Sequence, residues 1–395
     1  MLAYARPRSW LLATLWLPTL GCGDNSGVIT TGMDTAMTSG TTTGQATPDA
    51  SSSSGAASSS SGIADTTSDD GTTDEGGRDS SGTTTGPAIE DMGCPECTVL
   101  AHGLQGGRGI ALDDEYVYFT DQAAGTVERV PKGGGPREVI DDGQDSPYGV
   151  GVNDEYVYWT SFNEEGTVQR QVIEGGITFA LAADAFPRFM QVVDGWVYWC
   201  SFDDVLGRVR RVPADGVGES PETLVSVGSG VADLVVVNDV VYFTAHLPPT
   251  APGLAPQGIV YTASAHFPTE EADLEAVAIE QAEPWGITQR GGTLYWINGV
   301  GNPQDLPRRV LGLNVLNGGP PSSLVVQQTA PWGIDVDDDF VYWTDFIEVK
   351  AYPRAGGDEV LLADLQNVGR QILVDEESVY WITTDRVLQR PKPKL

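Results

Sequence analysis

The chain has 395 residues, and its 22 basic against 55 acidic side chains give a formal charge of −33. Residues 23–92 hold 40 Ser, Thr or Gly in 70 positions and no aromatic residue, too little apolar surface to offset the entropy of ordering them. The remaining part, from Cys94 onward, carries 44 acids against 19 bases. Such a surface repels phosphate backbones and anionic headgroups, which excludes nucleic acid and peripheral membrane binding. No run of eighteen apolar residues exists to cross a bilayer as a helix.

Arg6 and Arg8 precede the apolar run Trp10 to Leu17, and Pro18-Thr19-Leu20-Gly21 leads to Cys22. Basic region, short apolar run and small residue follow the layout of a secretory signal peptide. Gly21-Cys22 resembles a bacterial lipobox, with Thr19 where that family usually carries Leu. The resemblance implies that Cys22 is lipidated and begins the mature chain, anchored in the bacterial cell envelope at the outer membrane or cell surface. The alternative is an ordinary secreted protein. The organisation expected is therefore a signal peptide over 1–22, a disordered Ser/Thr/Gly-rich tether over 23–93 and one folded domain over 94–395. A flexible tether of this length has a root-mean-square reach of roughly 45 Å.

The folded region repeats. A Tyr followed by Phe or Trp recurs at Tyr118, Tyr158, Tyr198, Tyr242, Tyr295, Tyr342 and Tyr380, in steps of 40, 40, 44, 53, 47 and 38. Seven copies at this period predict a radially repeated architecture. Each copy reads as four short strands. In the first they are an apolar strand at Gly109–Leu112, the Tyr strand after an Asp113-Asp114 turn, a third at Thr126–Val130 and a fourth at Glu138–Ile140. The class is all-β, a β-propeller. The last copy stops after its third strand, at Arg386–Arg390, and the missing fourth appears upstream at Thr98–Ala101. Pairing the two closes seven blades with no open edge. The phrase Tyr342-Trp-Thr-Asp345 resembles the YWTD repeats of receptor ectodomains, and the Gly-Ile/Val start of the first strand resembles NHL-type propellers. The resemblance implies the fold and little about function, and the seventh blade departs from the six usual in YWTD propellers.

The recurrent Tyr and Trp are expected to pack blade against blade. The Asp and Asn pairs at 113–114, 153–154, 238–239 and 337–339 suit tight turns and lack the spacing of a calcium loop. Cys94-Pro-Glu-Cys97 could form a local disulfide, a redox pair or half a metal site, and the disulfide is favoured because no second Cys or His pair is at hand. Cys200 reads as a core thiol. The three histidines, His102, His246 and His266, fit no zinc pattern, and no Gly-x-Ser-x-Gly elbow or phosphate loop is present. His246 is expected at a solvated loop tip. No catalytic residue, metal site or cofactor is expected.

One position stands apart. Ten residues before each repeated Tyr lie Arg108, Tyr148, Arg188, Ala232, Trp285, Trp332 and Arg370. The first strand of a propeller blade lies nearest the axis, so these side chains should ring one mouth of the central channel. Arg with flat aromatics suits carboxylate, phosphate or sugar ligands. The structural alternative is that the aromatics plug the channel while the arginines neutralise Asp233 and Asp335. The connections Ala245 to Gln257 and Asn298 to Pro307 should emerge on the same face and border one cavity with the ring. The expected function is an envelope-anchored monomer that binds a small anionic or carbohydrate ligand, or an envelope protein, without catalysis. The alternative is a propeller lyase or hydrolase acting on a saccharide or other envelope-derived substrate.

Overall fold

A computed structural model describes residues 93–203, 205–247, 257–299 and 308–394. The signal peptide, Cys22 and the tether lie outside them. The described chain folds into seven antiparallel sheets of four strands each, and the only helical turn among the described residues is Glu271–Asp273. The seven sheets are the blades of an all-β propeller. The innermost strands are Gly107–Leu112, Pro147–Val152, Met190–Val193, Gly230–Val237, Pro284–Arg290, Pro331–Val336 and Gly369–Val374.

The ring closes as the strand arithmetic predicts. Thr98–His102 pairs antiparallel with Arg386–Pro391, Thr98 opposite Gln389 and His102 opposite Arg386. The early strand thus completes the blade formed by the last three. Upstream of it, Cys94 and Cys97 form a disulfide with their Cα atoms 5.3 Å apart. Cys94 is 2% exposed and packs with Phe340, Tyr342 and Leu362.

Between the blades lie the repeated aromatics. Trp159, Trp199, Trp296, Trp343 and Trp381 are fully buried, as are Phe119 and Phe243 at the same place. A buried indole N–H needs an acceptor, and each finds one fifteen residues upstream. Nε1 of Trp159, Trp296, Trp343 and Trp381 donates to Gln144, Gln281, Gln328 and Gln366, at 3.0, 3.0, 3.1 and 3.3 Å, and Trp199 donates to Asp184 at 2.7 Å. Where Phe replaces Trp, the residue fifteen places earlier is Leu104 or Gly228, which offers no side-chain acceptor.

The Asp/Asn turns are organised by their own side chains. Asp113 Oδ1 accepts the amides of Glu115 and Tyr116 while Oδ2 accepts the Tyr118 hydroxyl at 2.6 Å. Asp337 and Asp375 repeat this with Tyr342 and Tyr380. These carboxylates are committed to the turn and its Tyr.

The fourth blade departs from the common plan. After Gln257–Ser264 the chain crosses to the third blade, where Thr269 bridges Val225 in parallel and Arg211 donates to the Ala265 and His266 carbonyls.

Candidate channel-mouth site

Backbone chemistry places the mouth residues before any ligand is considered. The Thr that follows the aromatic pair binds across the blade interface. Thr120 donates to the carbonyl of Tyr148 at 2.7 Å, Thr160 to Arg188 at 2.7 Å, Thr244 to Trp285 at 2.8 Å and Thr344 to Arg370 at 2.6 Å. The same hydroxyl accepts an amide of its own inner strand, as at Gly109 and Gly149. Cys200 takes the place of Thr in the third blade, its sulfur 3.5 Å from the Ala232 carbonyl. Burial pushes that thiol up to about 12, so it stays protonated in the core.

Six of the seven positions counted from the sequence thus sit at the start of an inner strand and Arg188 lies two residues before one, and six of the seven side chains contact others around the mouth. The Arg108 guanidinium lies 5.7 Å from the Tyr148 ring, and Tyr148 packs on Phe162 at 5.2 Å. Arg188 lies 5.1 Å from Phe162 and 6.0 Å from Trp285. Trp285 stacks on Trp332 at 4.7 Å, and Arg370 lies 5.1 Å from Trp332. Ala232, 1% exposed, is the small member. Its missing bulk lets Arg188 of the third blade reach Trp285 of the fifth. Arg108 also donates from Nε to Gln122. Among the described residues, Nε of Arg188 and Nε1 of Trp285 are buried here without an acceptor.

The sequence reading missed His246 as a neighbour of the site. The strand Val240–Leu247 runs on past Ala245, so His246 is a strand residue opposite Gly230 and Gly258 rather than a loop tip. Its ring meets Trp285 edge-on at 4.8 Å, and Nε2 lies 2.8 Å from the Pro284 carbonyl. Burial lowers its pKa to about 4, which leaves it neutral at pH 7. His266 is exposed and lies 2.8 Å from Asp239, and His102 ends the closing strand.

Along the channel axis, a cavity of about 180 Å³ reaches Trp285 and Trp332 but none of Arg108, Tyr148, Arg188 or Arg370. Its polar lining is Gln191, Asp233, Thr288, Asp335 and Gln371, set among Phe189, Met190 and aliphatic side chains. Of the two expected insertions, residues 248–256 and 300–307 lie outside the described residues, and the shared cavity expected of them is not part of what the described residues form.

The expectation that arginines neutralise Asp233 and Asp335 is replaced by another arrangement. The inner edge of each first strand presents amides with no strand beside them, and in four blades a channel side chain accepts one across the blade gap. Asp233 Oδ2 accepts the Ile287 amide at 3.2 Å and Asp335 Oδ2 that of Val374 at 2.9 Å. Gln191 does the same for Val236 at 2.7 Å, and Gln371 for Ile110 at 3.0 Å. Each Asp also accepts the amide of the residue after it, at 2.8 Å. Withdrawal from water outweighs these bonds and pushes Asp233 up to about 7 and Asp335 to about 6. Among the described residues no group of three or more His, Cys, Asp or Glu converges as a metal site would require.

No family model and no curated protein sequence matches this chain. Solved structures do. The structure of a streptogramin B lyase superposes with a TM-score of 0.54 at 16% identity, over 74% of this chain and 95% of the other. The WD40 β-propeller domain of Doa1 gives 0.57 at 12% identity over 75% and 95%, and the computationally designed Ika8 protein 0.53 at 15% over 74% and 98%. At such identities the likeness is one of fold. The chain is a seven-bladed β-propeller.

Proposed function

We propose that this protein is a ligand-binding propeller of the bacterial envelope, held by a lipid on Cys22 through the Ser/Thr/Gly-rich segment that follows it, that captures an acidic small molecule or saccharide at the mouth ringed by Arg108, Arg188 and Arg370. Its repeats are read as YWTD- and NHL-like. One observation carries the ligand class: Nε of Arg188 and Nε1 of Trp285 are buried N–H donors with no acceptor among the described residues, and the Arg188 guanidinium lies 6.0 Å from the Trp285 ring. A buried donor left unpaired costs about 1–3 kcal/mol, so a ligand oxygen that either donor reaches by a small side-chain shift recovers that cost. Flat aromatic surfaces beside guanidiniums add stacking to charge. The mouth offers donors and π-faces in greater number than proton-transfer groups, which favours binding over catalysis.

The test is titration of the full-length chain with small carboxylates, phosphates and acidic sugars. Arg188→Ala combined with Arg370→Ala should abolish binding of an acidic ligand with little change in melting temperature. A double variant that unfolds, or binds as the parent does, rejects the reading.

A propeller lyase or hydrolase is the second reading. It draws on Asp233, whose pKa near 7 would suit a general base. Turnover lost in Asp233→Asn with binding retained would be its signature.

A further inference from the structure

The cavity below the stacked tryptophans holds two acidic side chains that its structural task does not require. Accepting the next blade's amide is done at Gln191 and Gln371 by a neutral carboxamide, at 2.7 and 3.0 Å. Asp233 and Asp335 perform the same task at 3.2 and 2.9 Å with a carboxylate. A carboxylate in a channel of aliphatic and aromatic side chains bears a desolvation cost that the amide avoids. The staples sit at two levels, Gln191 and Asp335 opposite their blade's Tyr and Asp233 and Gln371 two residues earlier, so each level holds one amide and one acid. Both acids line the same cavity as the rings of Trp285 and Trp332. Acid and π-face together are the chemistry that recognises an organic cation.

A hard metal ion fits this lining poorly. Calcium takes six to eight oxygen ligands, whereas here both oxygens of Asp233 already accept backbone amides. An ammonium group needs only a counter-charge and polarisable walls. The size agrees: a cavity of about 150 Å³ holds benzene, and this one is about 180 Å³. Immediately outside the tryptophan pair the charge reverses, with Arg188 6.0 Å from Trp285 and Arg370 5.1 Å from Trp332.

We propose that the cavity is a subsite for the ammonium group of a small zwitterion, whose acidic group is held by the guanidiniums of the mouth. The inference extends the mouth reading and rests on it only for the acidic end. In short, carboxylates lie inside, tryptophans between and guanidiniums outside.

Three probes separate the two ends in calorimetric titrations of the full-length protein near pH 8: glycine betaine with both charges, choline with the cation alone and propionate with the anion alone. Asp233→Asn with Asp335→Asn preserves an amide acceptor at each staple, as Gln191 and Gln371 do naturally. This double variant should weaken betaine and choline by at least tenfold and leave propionate unchanged. Arg188→Ala should weaken betaine and propionate and leave choline unchanged. If neither betaine nor choline binds the parent, or the Asn variants bind both as the parent does, the ammonium subsite is wrong and the mouth reading stands or falls on propionate alone. If choline responds to the Asn variants while propionate never binds, the cation subsite stands and the mouth reading fails. A melting curve of the Asn variant matching the parent's at acidic pH guards against simple unfolding.

Discussion

A β-carbon on Gly333 would sit 2.4 Å from the carbonyl oxygen of Arg370. Glycine at this position is therefore what lets the sixth and seventh blades approach, and with them the mouth residues Trp332 and Arg370. Gly109 stands in the same relation to Tyr148, also at 2.4 Å. The Trp-Gly-Ile and Arg-Gly-Ile phrases thus record a steric demand at the axis. Gly333→Ala must force the two strands apart. We expect a loss of about 1–3 kcal/mol, read as a lower melting temperature, together with weaker binding of any ligand spanning Trp332 and Arg370. An unchanged melting temperature would refute the close-approach argument.

The indole pairs make a prediction of a different kind. Gln281→Leu strands the buried N–H of Trp296 and the amide of Asn298, which also donates to Gln281 at 3.1 Å. A cost of about 1–3 kcal/mol per stranded donor is expected. Adding Trp296→Phe should recover the indole's share, because Phe119 with Leu104 is the same exchange already made within this chain. Denaturant unfolding of the two single variants and the double variant measures the coupling. Strict additivity would show that the bond contributes nothing.

Asp233 and Asp335 set the pH dependence of stability. Their folded pKa values, about 7 and about 6, lie above the ordinary 3.8, so the native state holds protons that the unfolded chain releases. Their contribution is fully present below about pH 4 and is lost as pH rises, through about 6 for Asp335 and about 7 for Asp233. His246 acts oppositely: its pKa is lowered from 6.5 to about 4, so its contribution falls as pH drops through that window. Asp233→Asn should therefore gain on the parent between about pH 4 and pH 8, by at least about 3 °C in melting temperature. His246→Phe should gain on the parent in the other direction, toward acid. A parent-minus-variant difference that stays flat with pH would contradict the assignment for that residue.

Closure rests on one strand pair. Deleting residues 94–105 removes Thr98–His102 and uncovers the full edge of Arg386–Pro391. Such an edge pairs with whatever strand it meets, so the truncated protein should aggregate or lose cooperative unfolding. Melting like the parent would reject closure by this pair. At the other end, mass spectrometry of the mature protein should find a diacylated Cys22 at its N-terminus, and an unmodified chain beginning elsewhere would reject the anchor.

Much of the fold was readable because a propeller writes its unit seven times. Tyr spacing gave the blade count, and the orphan strand at Thr98 gave the closure. The ring of mouth positions was readable by the same counting, since Thr120, Thr160, Thr244 and Thr344 fix those backbones from the neighbouring blade. The Trp-to-Gln spacing of fifteen was equally available and went unnoticed, because Gln carries no obvious structural signal alone. Asp233 and Asp335 could not be understood so. The amides they accept belong to strands about forty or more residues away, and only the closed ring brings that demand into view. His246 was misplaced for a local reason: two further residues of strand pairing carry it from a presumed loop to the side of Trp285.

The latch between Thr98–His102 and Arg386–Pro391 also orders events in time. The first strand of the domain to leave the ribosome is bonded to the last, so no partly made chain can close its ring. Blades can form one by one during synthesis, but their seventh interface must wait for Arg386–Pro391. Until then the earliest strand travels unpaired, and the final step of folding is a loop closure over almost the whole domain. By the logarithmic growth of loop entropy this closure is only modestly dearer than a short one, yet it is slow to find. A protein latched in this way passes from open arc to rigid ring at the end of its assembly, and its mouth comes into being at that same moment.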